Sequence, residues 1–464
     1  MFEITDAQLK DLTALGLSRG GNWCDLYFER TTYQDLLLRD SQVSAGGFSQ
    51  DCGCGIRVLD GDRTGYAYSE SLDYNSLSNA AKAAAGIANG SAGGRNDICA
   101  KTLDAPGRYG QEDAWQEAKA SRFIPWITKL EQEIRSRDSR VEKVIISLAY
   151  STSEILMYNS LGEKSADFRP LGSVMATVLF SQGEQKETVN VSRSFRCGAE
   201  MLTDSLIDEL AGQSTDRLDD RFGAKRPKGG RMSVVMGAGA SGILLHEAMG
   251  HAFEADFNRK GQSIFSDKMG CRICKPGIDI IDDGTIPGNR GSINFDDEGV
   301  PSQKTYMVRD GILCSFLHDR ISAGYYGVEP TGNGRRESFR YHPIPRMRCT
   351  YMDSGRDGSV EDLISSVKKG VFVDEFSNGQ VKIGEGDFTF YVKRGYMIEN
   401  GRLTFPVKDI NIIGNGPQAL ADIEGVASDL KIDNGNWTCG KEQSVAVSCG
   451  TASVLVNNLT VGGE

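Results

Sequence analysis

Long apolar runs are the first thing this sequence lacks. None approaches the roughly 20 residues that cross a bilayer, and the opening residues, Met1-Phe2-Glu3-Ile4-Thr5-Asp6, carry neither the basic nor the apolar region of a signal peptide. A soluble, cytoplasmic protein without a membrane partner is expected. Blocks of Lys and Arg are missing as well: the formal net charge is -11, with the acidic surplus spread along the chain, which argues against nucleic acid as the main partner. The 11 cysteines are odd in number and form no compact, evenly spaced framework, so reduced thiols are expected, and any special cysteine is a ligand or a nucleophile. Proline is scarce (12) beside 55 glycines, and no repeat or low-complexity tract accompanies them, so disorder is not indicated.

What is present is enough chain for two or three packed domains, 464 residues. Thr5-Asp6-Ala7-Gln8 has capping-box spacing ahead of Leu9, Leu12 and Leu15, which predicts an opening helix. Short strands are expected at 25–29, 36–38, 56–58 and 65–68, then a helix over 74–88 and a polar connection over 91–113. A second helix-then-strand block follows, with a helix over 114–137 around Pro125, strands at 144–146, 155–157, 174–180 and 188–191, and a helix over 202–211. The charged stretch 215–230 reads as the main boundary. Beyond it, Asn378-Gly379 and Asn400-Gly401 are each flanked by strand-like runs and predict hairpins with primed turns. The expected fold class is α+β: an N-terminal α/β region, residues 1–220, with mixed sheets and helices, divisible into 1–95 and 112–213, then a β-rich C-terminal domain, 231–464, that carries the metal-site helix.

That helix follows Val234-Val235-Met236 and a glycine turn, and contains His246-Glu247-Ala248-Met249-Gly250-His251. A zinc peptidase needs neutral imidazoles to hold the metal, an open position for water and a carboxylate beside it. Two of the chain's four histidines fall in this six-residue window with a glutamate between them. Their spacing of five puts them about 140° apart on a regular α-helix, so a distorted helix is predicted, through a π-bulge or a break at Gly250. Other readings stay open at this point. Gly237-Ala238-Gly239-Ala240-Ser241-Gly242 matches GxGxxG between strand and helix, the context of a nucleotide-binding oxidoreductase, but no second parallel strand ending in a ribose-binding acid follows. Cys271 and Cys274 have CxxC spacing without a second pair, which favours ordinary thiols. Glu254 or Asp256 could supply a carboxylate ligand, and lone His318 or His342 could simply pack.

Taken with Phe257-Asn258-Arg259-Lys260-Gly261, 282–287, Asp296-Asp297-Glu298-Gly299, 331–336, Pro345-Arg346-Met347 and the tail 458–463, the HExxxH segment resembles the TldD branch of the TldD/PmbA peptidases over nearly the whole chain. The resemblance implies a zinc metallopeptidase in which His246, His251 and a C-terminal cysteine, matching Cys439 here, hold Zn2+, and Glu247 is the catalytic base. It also implies a dimer enclosing the site in a chamber, with a PmbA-like sister subunit or with itself, acting on short peptides or unfolded protein segments. Arg335, Arg336 and His342, in or beside a matching segment, are candidate substrate contacts. The competing class is a non-catalytic zinc-stabilised scaffold or modulator, its site closed by a fourth ligand such as Cys449, Glu254 or Asp256.

Overall fold

The computed structural model describes residues 2–90, 100–110, 114–239, 241–382 and 384–463. Most of the expected connection 91–113 therefore lies outside the described residues. The N-terminal region is built on one seven-stranded sheet in which Arg63–Ser69, Gln42–Asp60, Trp23–Arg39, Val141–Asn159, Glu163–Gln182 and Lys101–Leu103 lie side by side, with Gln185–Phe195 also paired to Glu163–Gln182. The short strands expected from apolar clusters merge into long ones. Thr31 faces Ser153 and Thr32 faces Thr152 across the central antiparallel pair, and the Thr31 and Ser153 hydroxyls lie 2.8 Å apart. Polar cross-strand pairs thus continue the ladder where the apolar signal lapses.

Strand alternation sorts the two faces of this sheet. Leu26, Phe28, Ile56, Val58, Leu156 and Tyr158 point to one face, under the helices Asp6–Gly16 and Tyr74–Ala84. Further along that face Leu36, Leu38, Ile146 and Leu148 pack with residues of the helices Ile124–Arg137 and Asp204–Thr215. The capping box at Thr5 forms as expected. The helix expected over 114–137 does not run its full length: two 3-10 turns precede Ile124–Arg137, and Pro125 stands in the first helical turn, where its missing N–H costs no bond. The stretch 215–230 is not a bare linker, since it contains the helix Leu218–Gly223, whose Leu218 and Phe222 join the N-terminal core.

The opposite face receives the C-terminal domain. Tyr27, Ile155 and Met157 pack against Phe295 and Phe339, and buried charges surround them. Arg57 lies 2.7 Å from both Asp25 and Glu298, and Arg169 lies 2.9 Å from Asp167 and 2.6 Å from Asp297. Arg336 stacks on Tyr27 at 4.2 Å and reaches Asp25 and the Asp297 carbonyl. Arg335 donates to the Met347 and Ala446 carbonyls. Arg335 and Arg336, expected as substrate contacts, are both buried and bonded to protein groups; a guanidinium buried without such partners would be unfavourable.

The C-terminal domain holds a closed ring of five strands, Gly230–Met236, Val454–Gly462, Ile410–Asn415, Asp387–Glu399 and Lys369–Val381, the last pairing back to the first. Asn400 and Gly401 both have positive φ, 52° and 76°, and join Asp387–Glu399 to Arg402–Val407, as the hairpin expectation requires. Asn378-Gly379 forms no such turn. It lies inside Lys369–Val381, in a run of register shifts against Asp387–Glu399, so the extra residues are absorbed as bulges that bend the strand around the ring. A second, six-stranded sheet includes the parallel pair Cys349–Met352 and Ser448–Thr451. The architecture is α+β with a β-rich C-terminal region. No described helix is long and apolar enough to cross a membrane.

Glu29 shares the inward face of the sheet with Tyr27, and accepts bonds from the Phe339 N–H at 2.8 Å and the Thr31 hydroxyl at 3.0 Å. Burial pushes its carboxyl up to about 7, and those two donors offset it only in part. A raised acid favours the folded chain in its neutral form, so this contribution is complete below its ordinary value near 4.5 and is lost as pH rises through about 7. Glu29→Gln cannot ionise. Its stability relative to the unsubstituted protein, followed through Tm, is expected to rise between about pH 5 and about pH 8, by on the order of 3 kcal/mol at most. A gap that stays constant across that range would refute the assignment.

Candidate metal centre

The strand Gly230–Met236 leads through a glycine turn into the helix Gly242–Ala248. A Cβ on Gly242 would lie 2.5 Å from backbone atoms of Gly450, so only glycine lets the helix start against the strand Ser448–Thr451. This is the role of the glycines that mimic a dinucleotide site. Next to Gly230–Met236 stand one parallel strand, Lys369–Val381, and one antiparallel strand, Val454–Gly462, not the parallel succession a dinucleotide fold needs.

The helix ends where its histidine spacing requires. Met249 adopts φ -134° and ψ -38°, and Gly250–Phe253 continues as a 3-10 turn. The expected distortion is thus a break followed by a tightened turn, not a π-bulge. The Met347 side chain packs directly on Gly250, with its Sδ 2.2 Å from where a Cβ would stand. Asn258 and Ser263 accommodate the break: the Asn258 amide donates to the Ala252 and Glu254 carbonyls, and the Ser263 hydroxyl to the Ala252 carbonyl. Both imidazoles then face one point. Their ring centroids are 5.4 Å apart and nearly perpendicular.

Cys439, on the strand Thr438–Lys441, completes the group. Its Sγ is 3.3 Å from His251 Nε2, and one ligand atom from each of His246, His251 and Cys439 falls within 4.8 Å of the others. Among the described residues this is the one such cluster with metal-binding geometry. All three are buried, and neither ring nitrogen of His246 has a hydrogen-bond partner. An imidazole buried without partners is costly; a cation among these donors would satisfy it. Burial alone would raise the Cys439 thiol, but His246 and His251 beside it reverse the effect and bring it down to about 4. Thiolate is the form of such a sulfur that binds metals. The residues fit a thiophilic divalent ion such as zinc.

Glu247 sits between the two histidines in sequence, with a carboxylate oxygen 3.9 Å from His251 Nε2 and its side chain 27% exposed. It alone of the motif's polar residues opens toward solvent. Glu254 is not a ligand in this arrangement. Its Oε2 accepts from His251 Nδ1 at 2.9 Å, on the other edge of the ring from Cys439. Burial would raise this carboxyl, but Lys441 and His251 hold it down at about 2. Asp256 is engaged by Lys441, and Cys449, buried with its thiol pushed well up by burial, lies outside the cluster. No fourth protein ligand joins the three among the described residues.

His342 is half-buried with its ring 6.0 Å from that of Tyr66 and is not among the clustered ligands. His318 is buried, faces Ser322 Oγ at 3.3 Å, and burial lowers it to about 4. Cys271 and Cys274 remain free thiols, the second pushed up to about 12 by burial. Sequence reasoning missed Lys441 and Arg346. A signal for the first existed: it stands two residues after Cys439 in a strand, hence on the same face.

Residues 229–463 match the PmbA/TldA metallopeptidase C-terminal domain, 24–88 match domain 1 and 114–221 match the central domain of the same family. A metalloprotease TldD homolog of Haemophilus influenzae is 36% identical over 472 residues, 99% of this chain and 98% of that protein. A zinc metalloprotease TldD homolog of Saccharolobus solfataricus is 33% identical over 259 residues, 55% of this chain and 57% of that protein. In fold, the chain is similar to a Thermotoga maritima protein described as a candidate modulator of a DNA gyrase, with TM-score 0.78 and 22% identity, covering 99% of this chain and 100% of that one. It is also similar to TldE of Thermococcus kodakarensis, with TM-score 0.76 and 18% identity, covering 98% and 100%. With all three family domains present and a relative aligned end to end, the chain belongs to the PmbA/TldD family and is a metallopeptidase.

Proposed function

We propose that this chain hydrolyses peptide bonds in short peptides or unfolded protein segments, with zinc held by His246, His251 and Cys439 and with Glu247 as the general base. The observation that carries this reading is the convergence of three buried donors, one of them on an imidazole with no hydrogen-bond partner, beside a carboxylate that is partly exposed. A donor set of three leaves a coordination position open, whereas a structural zinc site is closed by four. Zinc, when bound, polarises the scissile carbonyl and acidifies water.

The chain's own residues do the rest. Glu247 takes a proton from the attacking water and returns it to the departing amine, so no acyl-enzyme forms. His251 is held at both ring edges, by Glu254 at Nδ1 and beside Cys439 at Nε2, so no ligand must reorient during turnover. A dimer with a PmbA-like sister subunit, or with itself, would enclose the site in a chamber and limit substrates to extended chains. The likeness in fold to TldE supports a subunit of that kind as partner.

Purified protein is expected to contain one zinc per chain by elemental analysis and to lose peptidase activity to a chelator. Glu247→Gln should keep that zinc while hydrolysis of a peptide mixture falls by roughly 100-fold or more. Cys439→Ser should lose both metal and activity. Undiminished hydrolysis by Glu247→Gln would remove the proposed mechanism, and full zinc content in Cys439→Ser would remove the ligand set.

A further inference from the structure

The strand Thr438–Lys441 alternates exposed and buried residues, so Cys439 and Lys441 project from one face. The two side chains reach opposite edges of the same imidazole. Cys439 Sγ lies 3.3 Å from His251 Nε2, while Lys441 Nζ lies 3.0 Å from the Glu254 oxygen that accepts from His251 Nδ1. The other two protons of this ammonium are also placed, toward Asp256 Oδ1 at 2.7 Å and the Pro345 carbonyl at 3.2 Å. Its charge also faces the Phe257 ring at 4.2 Å. Glu254 is fully buried.

Arg346, also fully buried, binds the hairpin formed by Thr438–Lys441 and Gln443–Ala446 to the same carboxylate. It donates to the Cys439 carbonyl at 2.7 Å and the Gln443 carbonyl at 2.8 Å, and its Nε lies 3.8 Å from Glu254 Oε1. Of these two cations only Lys441 contacts the carboxylate at hydrogen-bonding distance. Burying a carboxylate without such a cation would be unfavourable, and a carboxylate free to turn would leave His251 without the partner that selects its ring orientation.

We propose that Lys441 is a positioning residue of the metal centre: acting through Glu254, it orients His251 so that Nε2 is presented to the cation. The inference rests on the ligand set proposed above. It goes beyond that set by giving one short strand two tasks, a metal ligand and the cation that aims another ligand.

Zinc affinity, measured by competition with a chromogenic chelator, tests it without reference to catalysis. Lys441→Gln keeps length and hydrogen-bonding capacity without charge, and should weaken zinc binding by about 10–100-fold, the range for loss of such an outer partner. Glu254→Gln should weaken it similarly. Because the lysine acts through the glutamate, the double variant should bind no more weakly than the weaker single variant. Cobalt substitution should show a changed absorption spectrum in Lys441→Gln, a signature that loss of packing elsewhere would not produce. Asp256→Asn, which removes the lysine's other carboxylate and leaves Glu254 in place, should bind zinc within about threefold of the unsubstituted protein, and it serves as the control if Lys441→Gln folds poorly. Unchanged zinc affinity in Lys441→Gln, or a double variant whose loss equals the product of the two single losses, overturns the inference alone. So does an Asp256→Asn loss as large as that of Glu254→Gln. Failure of the unsubstituted protein to bind zinc overturns both this inference and the proposed function.

Discussion

The contact between His251 and Cys439 spans 188 positions of sequence, and the C-terminal domain is arranged around bringing it about. One partner comes from the end of a broken helix and the other from a short hairpin near the chain's end. Each is fixed by something other than the contact itself. The helix is held by its close approach to Gly450 and by the break at Met249, and the hairpin is held by Arg346 through three of its carbonyls. A donor set assembled in this way is preorganised, so the fold, and not the metal, carries the entropy of bringing ligands together.

Charge burial is the second organising constraint. Around the donors, Glu254, Lys441, Asp256 and Arg346 form a compact set in which every charge has an opposite neighbour. Between the domains, Arg57, Arg169 and Arg336 are matched in the same manner by Asp25, Asp167, Asp297 and Glu298. Removing one member of such a group strands its partners, at a cost on the order of 3–5 kcal/mol. These networks therefore specify the relative placement of sheet and C-terminal domain more sharply than apolar contact alone, whose geometry is permissive. Arg336 fits the same reasoning through Asp25, whereas Arg335 is held by the Met347 and Ala446 carbonyls.

Local sequence signals were reliable where a single element decides the outcome. The Thr5 capping box, the Asn400-Gly401 turn and the presence of a break after the metal-site helix each depend on a few adjacent residues. Signals failed where a partner strand or a neighbouring side chain decides. Thr31 and Ser153 look like interruptions until they are placed opposite one another, and Asn378-Gly379 looks like a turn until the strand is wrapped around a closed ring. Gly250 stands just after the break at Met249, with Met347 packed against it from a distant segment.

From the sequence alone came the candidate donors and base: two of four histidines beside one glutamate, in a helix whose regular geometry could not serve both, because residue type and spacing are properties of a short segment. The matching of Cys439 came from family resemblance, and its arrival at His251 depended on long-range packing. Only the tertiary structure could separate Glu254 as the partner of Nδ1 from Glu254 as a ligand, reveal Lys441 behind it, and show Arg335 and Arg336 buried among protein groups. Those distinctions depend on which edge of a ring a carboxylate meets and which surfaces are closed by another domain, and neither is encoded within any one stretch of chain.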